Sequence, residues 1–226
     1  MAFPVLETES TYSNSSATTT HVMTLPTGIS DGDQLYIIVG GRESVSYSAT
    51  GWTVEGSSSA SLTNMSVLSK TASSEGSTVT VTSSPSKQIA ARLLRFTASD
   101  GISLDFAFQD SDNANPNPPN VAPAGGSDDY FWIAACADRD NGDVTGFPTT
   151  PVTFVNTGFE RAASGTASKI GWGDYSALAR TSTDPGTFTI ENAADWSTVT
   201  IAIHPAGGAG GLSIPVAMHH YNQMRN

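Results

Sequence analysis

The stretch DGDQLYIIV, residues 31–39, opens with an acidic turn and continues as a strongly apolar run. The stretch SDDYFWIAA, residues 127–135, has the same form. Each apolar run is short and is bounded by Gly, Ser or Asp, which is typical of a β-strand that begins after a tight turn. The recurrence of this pattern almost one hundred residues later suggests an internal duplication.

Further blocks correspond in the same order along the chain. The paired blocks are residues 51–54 with 150–154, 65–72 with 174–181, 77–81 with 186–190, and 88–96 with 196–204. Identities are few, but five blocks in one order predict two diverged tandem copies with a pseudo-two-fold relation. The copies would be a first unit at residues 1–100 and a second at 101–206, followed by a segment at 207–226.

Within several blocks the hydrophobic pattern has a period of two. Residues 77–82 alternate Val with Thr, and residues 187–190 alternate Phe and Ile with Thr. The blocks are separated by Gly, Ser, Asn or Pro, as strands of a sandwich are. The sequence therefore predicts an all-β fold, an antiparallel β-sandwich of jelly-roll or Ig-like type. Two arrangements fit equally: each half closes its own sandwich, or the strands of both halves interleave in one pseudo-symmetric body.

Charge and composition exclude some partners. The chain has ten Lys and Arg against twenty-one Asp and Glu, a net charge of −11 at pH 7. Binding to a phosphate backbone or to an anionic membrane surface depends on basic residues, so we expect neither partner. No apolar run approaches the roughly 20 residues of a membrane helix, and the first residues do not resemble a signal peptide. We therefore expect synthesis in the cytoplasm without ordinary export.

Two segments lack strand patterns. Residues 110–120 hold three prolines and four asparagines, which predicts an irregular surface excursion between the halves. Residues 205–211 form a Gly-rich linker, and a short apolar tail follows it. Disordered tails are usually poor in such residues, so we expect the tail to dock on a neighbouring subunit by strand addition. The predicted assembly residues are Ile214, Val216, Met218, Tyr221 and Met224.

Few residues suggest chemistry. Asp138 and Asp140 stand at alternate positions, and Asp143 follows three residues later, in a Gly-containing loop. This spacing of oxygen ligands predicts a structural calcium site, although Thr149 stands where an EF-hand would have Glu. No other cofactor is expected. Trp172, flanked by glycines, is a candidate for stacking on a ligand such as a sugar. No nucleophile elbow is present, and Cys136 lies in an apolar run where a buried thiol is expected.

Four stretches carry a resemblance to a known class of protein. They are GDQLYIIVGGRE at residues 32–43, GWTVEG at 51–56, MSVLSKTASSEGSTVTVTSS at 65–84 and IAARLLRF at 89–96. They resemble β modules of phage virion structural proteins, among them capsid decorations and head or tail fibres. The resemblance implies a non-enzymatic virion protein, an oligomer whose partners are other virion proteins of capsid or tail, and it implies no catalytic residue.

Two other functions remain open from the sequence. The first is a tail-associated receptor- or carbohydrate-binding module, which would need exposed aromatic side chains or an ordered metal in a groove. The second is an enzyme acting on polysaccharide, which would need two facing carboxylates in a cleft. A sandwich fold alone does not choose among these functions.

Overall fold

The computed structural model describes residues 3–59, 61–139, 142–162 and 168–207. Within these ranges, residues 59 and 110–112 are described by their backbone alone. Within these ranges the chain forms fifteen β-strands and no helix, and the strands pair antiparallel. The prediction of an all-β antiparallel fold is confirmed.

Eight strands belong to the first half of the chain. In order they are β1 (Val5–Ser13), β2 (Thr18–Thr24), β3 (Gln34–Arg42), β4 (Ser46–Ala49), β5 (Thr53–Ser59), β6 (Thr63–Thr71), β7 (Thr78–Lys87) and β8 (Ile89–Thr97). They form a five-stranded sheet of order β1-β8-β3-β6-β5 and a three-stranded sheet of order β2-β7-β4.

Seven strands belong to the second half. They are β9 (Ser99–Asn113), β10 (Asp128–Asp138), β11 (Val144–Gly146), β12 (Val155–Arg161), β13 (Lys169–Arg180), β14 (Thr189–Ile190) and β15 (Ala194–Pro205). They form a five-stranded sheet of order β12-β13-β10-β15-β9 and a two-stranded sheet of β11 and β14. Among the described residues, every named strand pair lies within one half.

The two five-stranded sheets pack face to face on a central core. Its members come from both halves and are mostly branched or aromatic: Tyr36, Ile38, Met65, Val67, Leu94 and Phe96 from the first sheet, and Phe131, Ile133, Ile170, Trp172, Val199, Ile201 and Ile203 from the second. Phe96 and Phe131 meet edge to face across the two sheets, with ring centroids 5.0 Å apart. The halves therefore share one hydrophobic core.

The opposite faces of these sheets are covered as well. The three-stranded sheet packs on the first five-stranded sheet through Met23, Tyr47 and Val81. On the other side, β11, β14 and neighbouring loops cover the second sheet through Val144, Phe188 and Ile190. The molecule thus has four layers, and the central strands β3 and β10 are buried on both faces. This burial explains why their sequences are continuous apolar runs and do not alternate.

The register of the sequence correspondence requires a correction. Aligning residues 31–39 with 127–135 places Tyr36 opposite Trp132, yet Tyr36 faces the central core and Trp132 faces the outer core. Likewise, aligning residues 88–96 with 196–204 sets Phe96 against His204. Phe96 faces the central core, but in the second half it is Ile203, the residue before His204, that does so. Because side chains alternate across a strand, a one-residue slip exchanges the two faces. A continuous apolar run gives no alternation from which to detect such a slip.

The prediction for residues 110–120 was partly wrong. The backbone of residues 110–113 continues strand β9, and residues 114–120 pack on the outer face of the second five-stranded sheet. Pro116 and Pro118 are buried there. The hydroxyls of Thr198 and Thr200 donate to the carbonyls of Asn117 and Pro119, at 3.1 and 2.6 Å. Proline lacks an N–H for a β-ladder, but its carbonyl remains a good acceptor for a buried hydroxyl.

The central core predicts a large difference between two matched substitutions. Phe96 is fully buried between the five-stranded sheets, whereas Phe108 on the edge strand β9 is 54% exposed. We expect Phe96→Ala to lower the free energy of unfolding by about 3–5 kcal/mol, because it leaves a cavity in the shared core. Phe108→Ala should cost far less. Denaturant unfolding of both variants measures this difference, and equal losses would contradict the packing described here.

Candidate functional site

A fully buried cation lies where the two halves meet. Arg92 lies on the central-core face of β8, between the apolar side chains of Ala90 and Leu94, and it pairs with Ile38 of β3. Its side chain has no exposed surface. It points from the first five-stranded sheet toward β13 of the second. A buried guanidinium must be matched by acceptors, since the desolvation of an unpaired charge is strongly unfavourable.

Two carboxylates supply these acceptors. Arg92 Nε donates to Glu9 Oε2 at 2.8 Å, and Nη2 donates to the same oxygen. Nη2 also donates to Asp174 Oδ2 at 2.7 Å. The Asn156 amide joins both acids, with Nδ2 lying 3.1 Å from Asp174 Oδ2 and 3.5 Å from Glu9 Oε2. Strands β1, β8, β12 and β13 therefore meet in one polar cluster, which we call the junction cluster (Glu9, Arg92, Asn156, Asp174).

Trp172 forms the apolar side of the junction cluster. The guanidinium carbon of Arg92 lies 5.1 Å from the centroid of the indole, a cation–π distance. On another side the ring lies against Gly158, where a Cβ atom would come within 2.7 Å of the indole Cζ2. Glycine at this position permits the close approach of β12 to the ring. Trp172 thus packs against the Arg92 guanidinium between the two sheets.

The electrostatics of the junction cluster follow from burial. Desolvation raises the pKa of the Asp174 carboxyl above its ordinary value, and the guanidinium of Arg92 and the amide of Asn156 oppose that rise. Glu9 is the more open member, with a side chain 31% exposed. Both carboxylates bind one guanidinium, so the arrangement holds the two halves together through a charge pair rather than presenting a free acid and base.

The structure also gives positions to the acids predicted to bind calcium. Asp138 is buried, and its Oδ2 lies 3.2 Å from Nζ of the equally buried Lys169 on the neighbouring strand. Lys169 Nζ also donates to the carbonyl of Gly142. Asp143 accepts from Arg161 Nη1 at 3.0 Å, and this pair is about half exposed. Asp140 lies outside the described residues.

The two described acids therefore have basic partners, and they lie in different surroundings. Lys169 supplies the positive charge that a metal would otherwise bring to Asp138. Across the described ranges, no three His, Cys, Asp or Glu side chains come together as a metal site would require. The calcium site stays a prediction that these contacts do not favour.

The other residues singled out from the sequence are either buried or outside the described part of the chain. Trp172 is buried in the central core, so its ring offers no open face for stacking on a sugar. Cys136 is buried as expected, and burial raises the pKa of its thiol well above the ordinary value. The predicted assembly residues, Ile214, Val216, Met218, Tyr221 and Met224, lie outside the described residues.

A buried Ser–His pair was not singled out from the sequence. His21 Nε2 lies 2.9 Å from Ser83 Oγ, and both side chains are inaccessible. The Ser83 hydroxyl donates its proton to the carbonyl of Thr18 at 3.0 Å, so it accepts from His21. Burial lowers the pKa of His21, which favours the neutral ring. A serine that donates to the backbone and is closed to solvent serves as a structural partner, not as a nucleophile.

Two hollows open on the surface of the first half. One, of about 310 Å³, is lined by residues from the β4–β5 turn, from β6 and from β7, including Trp52 and Lys70. The other, of about 320 Å³, adjoins it at Glu75 and is lined by the β2–β3 loop. Lys70 and Glu75 were not singled out from the sequence. The one available signal was the Gly-Trp pair at residues 51–52, which precedes a strand that carries Lys70 near its end.

Comparison with protein-family models, curated proteins and solved structures found no match. In the part of the chain that the structure describes, no helix has the length and hydrophobicity needed to cross a membrane.

The junction cluster predicts a specific response to the loss of its cation. Arg92→Met keeps much of the side-chain volume but leaves Asp174 buried without its charge partner. We expect a loss of about 3–5 kcal/mol in the free energy of unfolding. The control is Arg161→Met, which breaks a half-exposed pair and should cost at most about 1 kcal/mol.

A second variant distinguishes the charge effect from lost packing. Adding Asp174→Asn to Arg92→Met removes the uncompensated carboxylate and should recover a substantial part of the lost stability. Denaturant unfolding of the four proteins gives the comparison. If the double variant is no more stable than Arg92→Met, the buried carboxylate is not the source of the loss.

Proposed function

We propose that this chain is a non-enzymatic structural protein of a phage virion, a capsid decoration, head-associated or fibre component. The observation that carries the proposal is the strand order shared by the two halves. The order β1-β8-β3-β6-β5 corresponds to β9-β15-β10-β13-β12, and the sequential positions of the strands agree once residues 114–116 are counted in the place of β2. The argument from architecture to function is one of analogy, because folds of this type serve viral capsids, lectins and other proteins.

The proposal assigns a jelly-roll topology to each half. In an eight-stranded jelly roll the first strand pairs with the eighth, the eighth with the third, and the third with the sixth, while the second pairs with the seventh and the seventh with the fourth. Strands β1, β8, β3 and β6 follow the first series, and β2, β7 and β4 follow the second. Strand β5 departs from the pattern, because it pairs with β6 and extends the five-stranded sheet.

The second half supports the same assignment. Residues 114–116 take the place of β2: Phe188 N donates to Pro116 O at 2.8 Å and Ile190 N to Ala114 O at 3.0 Å. Residues 188–190 therefore have a neighbour on each side, since β11 pairs with β14. We take this correspondence as support for two diverged tandem copies related by a pseudo-two-fold axis through the central core.

In the proposed duplication we align the Ile38–Arg92 pair of the first sheet with the Ala135–Val199 pair of the second, so that Arg92 corresponds to Val199. Ile38 pairs with Arg92 in the first sheet, and Ala135 pairs with Val199 in the second. All four residues lie on the central-core faces of their strands. Duplication followed by divergence would account for a cation at this position in the first half, where Glu9 and Asp174 pair with it, and for an apolar residue at the corresponding position of the second half.

An uncharged face suits the proposed role in assembly. Over residues 20–24, 46–48 and 78–82, the outward side of the three-stranded sheet carries hydroxyls and one valine: Thr20, Val22, Thr24, Ser46, Ser48, Thr78, Thr80 and Thr82. On a chain of net charge −11, such a face can approach other acidic subunits without direct repulsion between charged side chains. Binding that occurs only to the assembled shell then stabilises it by mass action.

The experiment that tests the proposal compares the full chain with a variant lacking residues 207–226. Light scattering gives the mass of each in solution, and centrifugation with undecorated phage capsids shows whether each pellets with the shell. We expect the full chain to form a homo-oligomer and to pellet with capsids, and the shortened chain to lose the oligomer. A full chain that is monomeric and stays in the supernatant contradicts the proposal and favours the receptor-binding alternative.

A further inference from the structure

The two surface hollows of the first half adjoin at Glu75 and differ in chemistry, and we call the two together the groove. The end of about 310 Å³, the polar hollow, is lined by Thr50, Trp52, Lys70, Glu75, Thr78 and Thr80. The end of about 320 Å³, the apolar hollow, is lined by Leu25, Pro26, Ile29 and their neighbours. Glu75 belongs to both ends. Each hollow reaches the lower limit of size for small-ligand sites, about 300 Å³.

The chemical groups of the polar hollow are held in place before any ligand arrives. Lys70 Nζ lies 2.6 Å from Glu75 Oε1, and the two side chains are only 23% and 10% exposed. Burial raises the pKa of the Glu75 carboxyl, but hydrogen bonds from Lys70 and from the backbone N–H of Ser73 outweigh it and hold that pKa below its usual value. The carboxylate is therefore charged and oriented, which reduces the entropy lost on binding.

Packing and a backbone hydrogen bond hold Trp52 in place. It packs on the outer core beneath the three-stranded sheet and is only partly buried, so part of its indole remains at the surface. Its backbone N–H donates to the Ala49 carbonyl at 3.1 Å, which closes the tight turn that precedes β5. The other three tryptophans are at most 5% exposed. Trp52 is thus the tryptophan that the fold places at an open hollow.

These groups match the chemistry of a neutral sugar. An ammonium offers donors, a carboxylate offers acceptors, and threonine hydroxyls offer both, so adjacent sugar hydroxyls can be satisfied in either direction. An indole provides an apolar surface for the C–H face of a pyranose. A polyanion is disfavoured, because Lys70 is neutralised by Glu75 and the chain carries a charge of −11. A purely apolar ligand would leave the ion pair and hydroxyls unmatched.

The apolar hollow indicates which sugars would fit best. Leu25 and Pro26 are buried beneath its floor and Ile29 is half-buried at its side. A methyl group entering there would gain apolar contact while the rest of the ligand stays on the polar side. An acetamido group places such a methyl group next to sugar hydroxyls.

We propose that the groove is a binding site for a short neutral oligosaccharide that contains N-acetylated sugars, with Trp52, Lys70 and Glu75 contacting the sugar ring and its hydroxyls and the β2–β3 loop receiving the acetamido methyl. This inference does not depend on the virion role, although Thr24, Thr78 and Thr80 belong both to the groove and to the uncharged face.

The test uses the full chain labelled with ¹⁵N and titrated with chitotriose, the trimer of N-acetylglucosamine. The four indole N–H signals are followed, and Trp52→Phe identifies the one that belongs to Trp52. We expect the Trp52 signal to shift with saturation and the other three to stay in place. Maltotriose, which has no acetamido group, should bind about tenfold or more weakly, and equal binding overturns the assignment of the apolar hollow.

Two matched variants test the role of the ion pair. Lys70→Gln removes the cation of the polar hollow, whereas Lys87→Gln removes the cation of another Lys–Glu pair of the first half, with Glu43. We expect Lys70→Gln to weaken chitotriose binding about tenfold or more and Lys87→Gln to leave it unchanged. Equal affinity of the two variants, or no shift of the Trp52 signal in the wild-type protein, overturns the proposal. Thermal unfolding of both variants verifies that each remains folded.

Discussion

The packing of the two five-stranded sheets on each other is the constraint on which the rest of the structure depends. Each sheet must present an apolar face to its partner and another to its own outer layer, so its central strands can carry almost no polar side chain. Tyr36 and Ile38 serve the inner face of β3, while Ile37 and Val39 serve the outer face. The small outer sheets have only one such face, and their outward sides are free to be polar. Layer position thus dictates the composition of each strand.

The same constraint explains how charge is handled inside the protein. Where a charged side chain does enter the buried layers, a counter-charge comes from a neighbouring strand or from the other half. Arg92 meets Asp174 across the central interface, and Lys169 meets Asp138 across one strand pair. Such pairs contribute less to stability than apolar packing would, but removing one partner is strongly unfavourable. The pair of Arg92 with Asp174 therefore ties the two halves to one arrangement, and the pair of Lys169 with Asp138 ties β13 to β10.

Some of this architecture was predictable from the sequence. The alternation at residues 78–82 predicted a strand with one covered face, and β7 is buried on alternate residues. The apolar runs of β3 and β10 predicted strands, and their lack of alternation carried the further information that both faces are covered. The one-residue offset between the aligned sequence blocks and the faces of β3 and β10 has the same cause, because a uniformly apolar run does not mark its faces. The pairing of Arg92 with Asp174 was beyond sequence reasoning, since the residues lie 82 positions apart and meet only through packing. The burial of Trp172 against Arg92 also arises from packing between distant parts of the chain, so the sequence did not indicate it.

Because the halves share one core, they should unfold together. Differential scanning calorimetry of the full chain tests this most directly, by comparing the calorimetric enthalpy of unfolding with the van't Hoff enthalpy from the shape of the transition. The account predicts a single transition in which the two enthalpies agree, since neither half can keep its inner face covered once the other unfolds. Two resolved transitions, or a van't Hoff enthalpy near half of the calorimetric one, would show that each half is stable alone and would contradict the shared core.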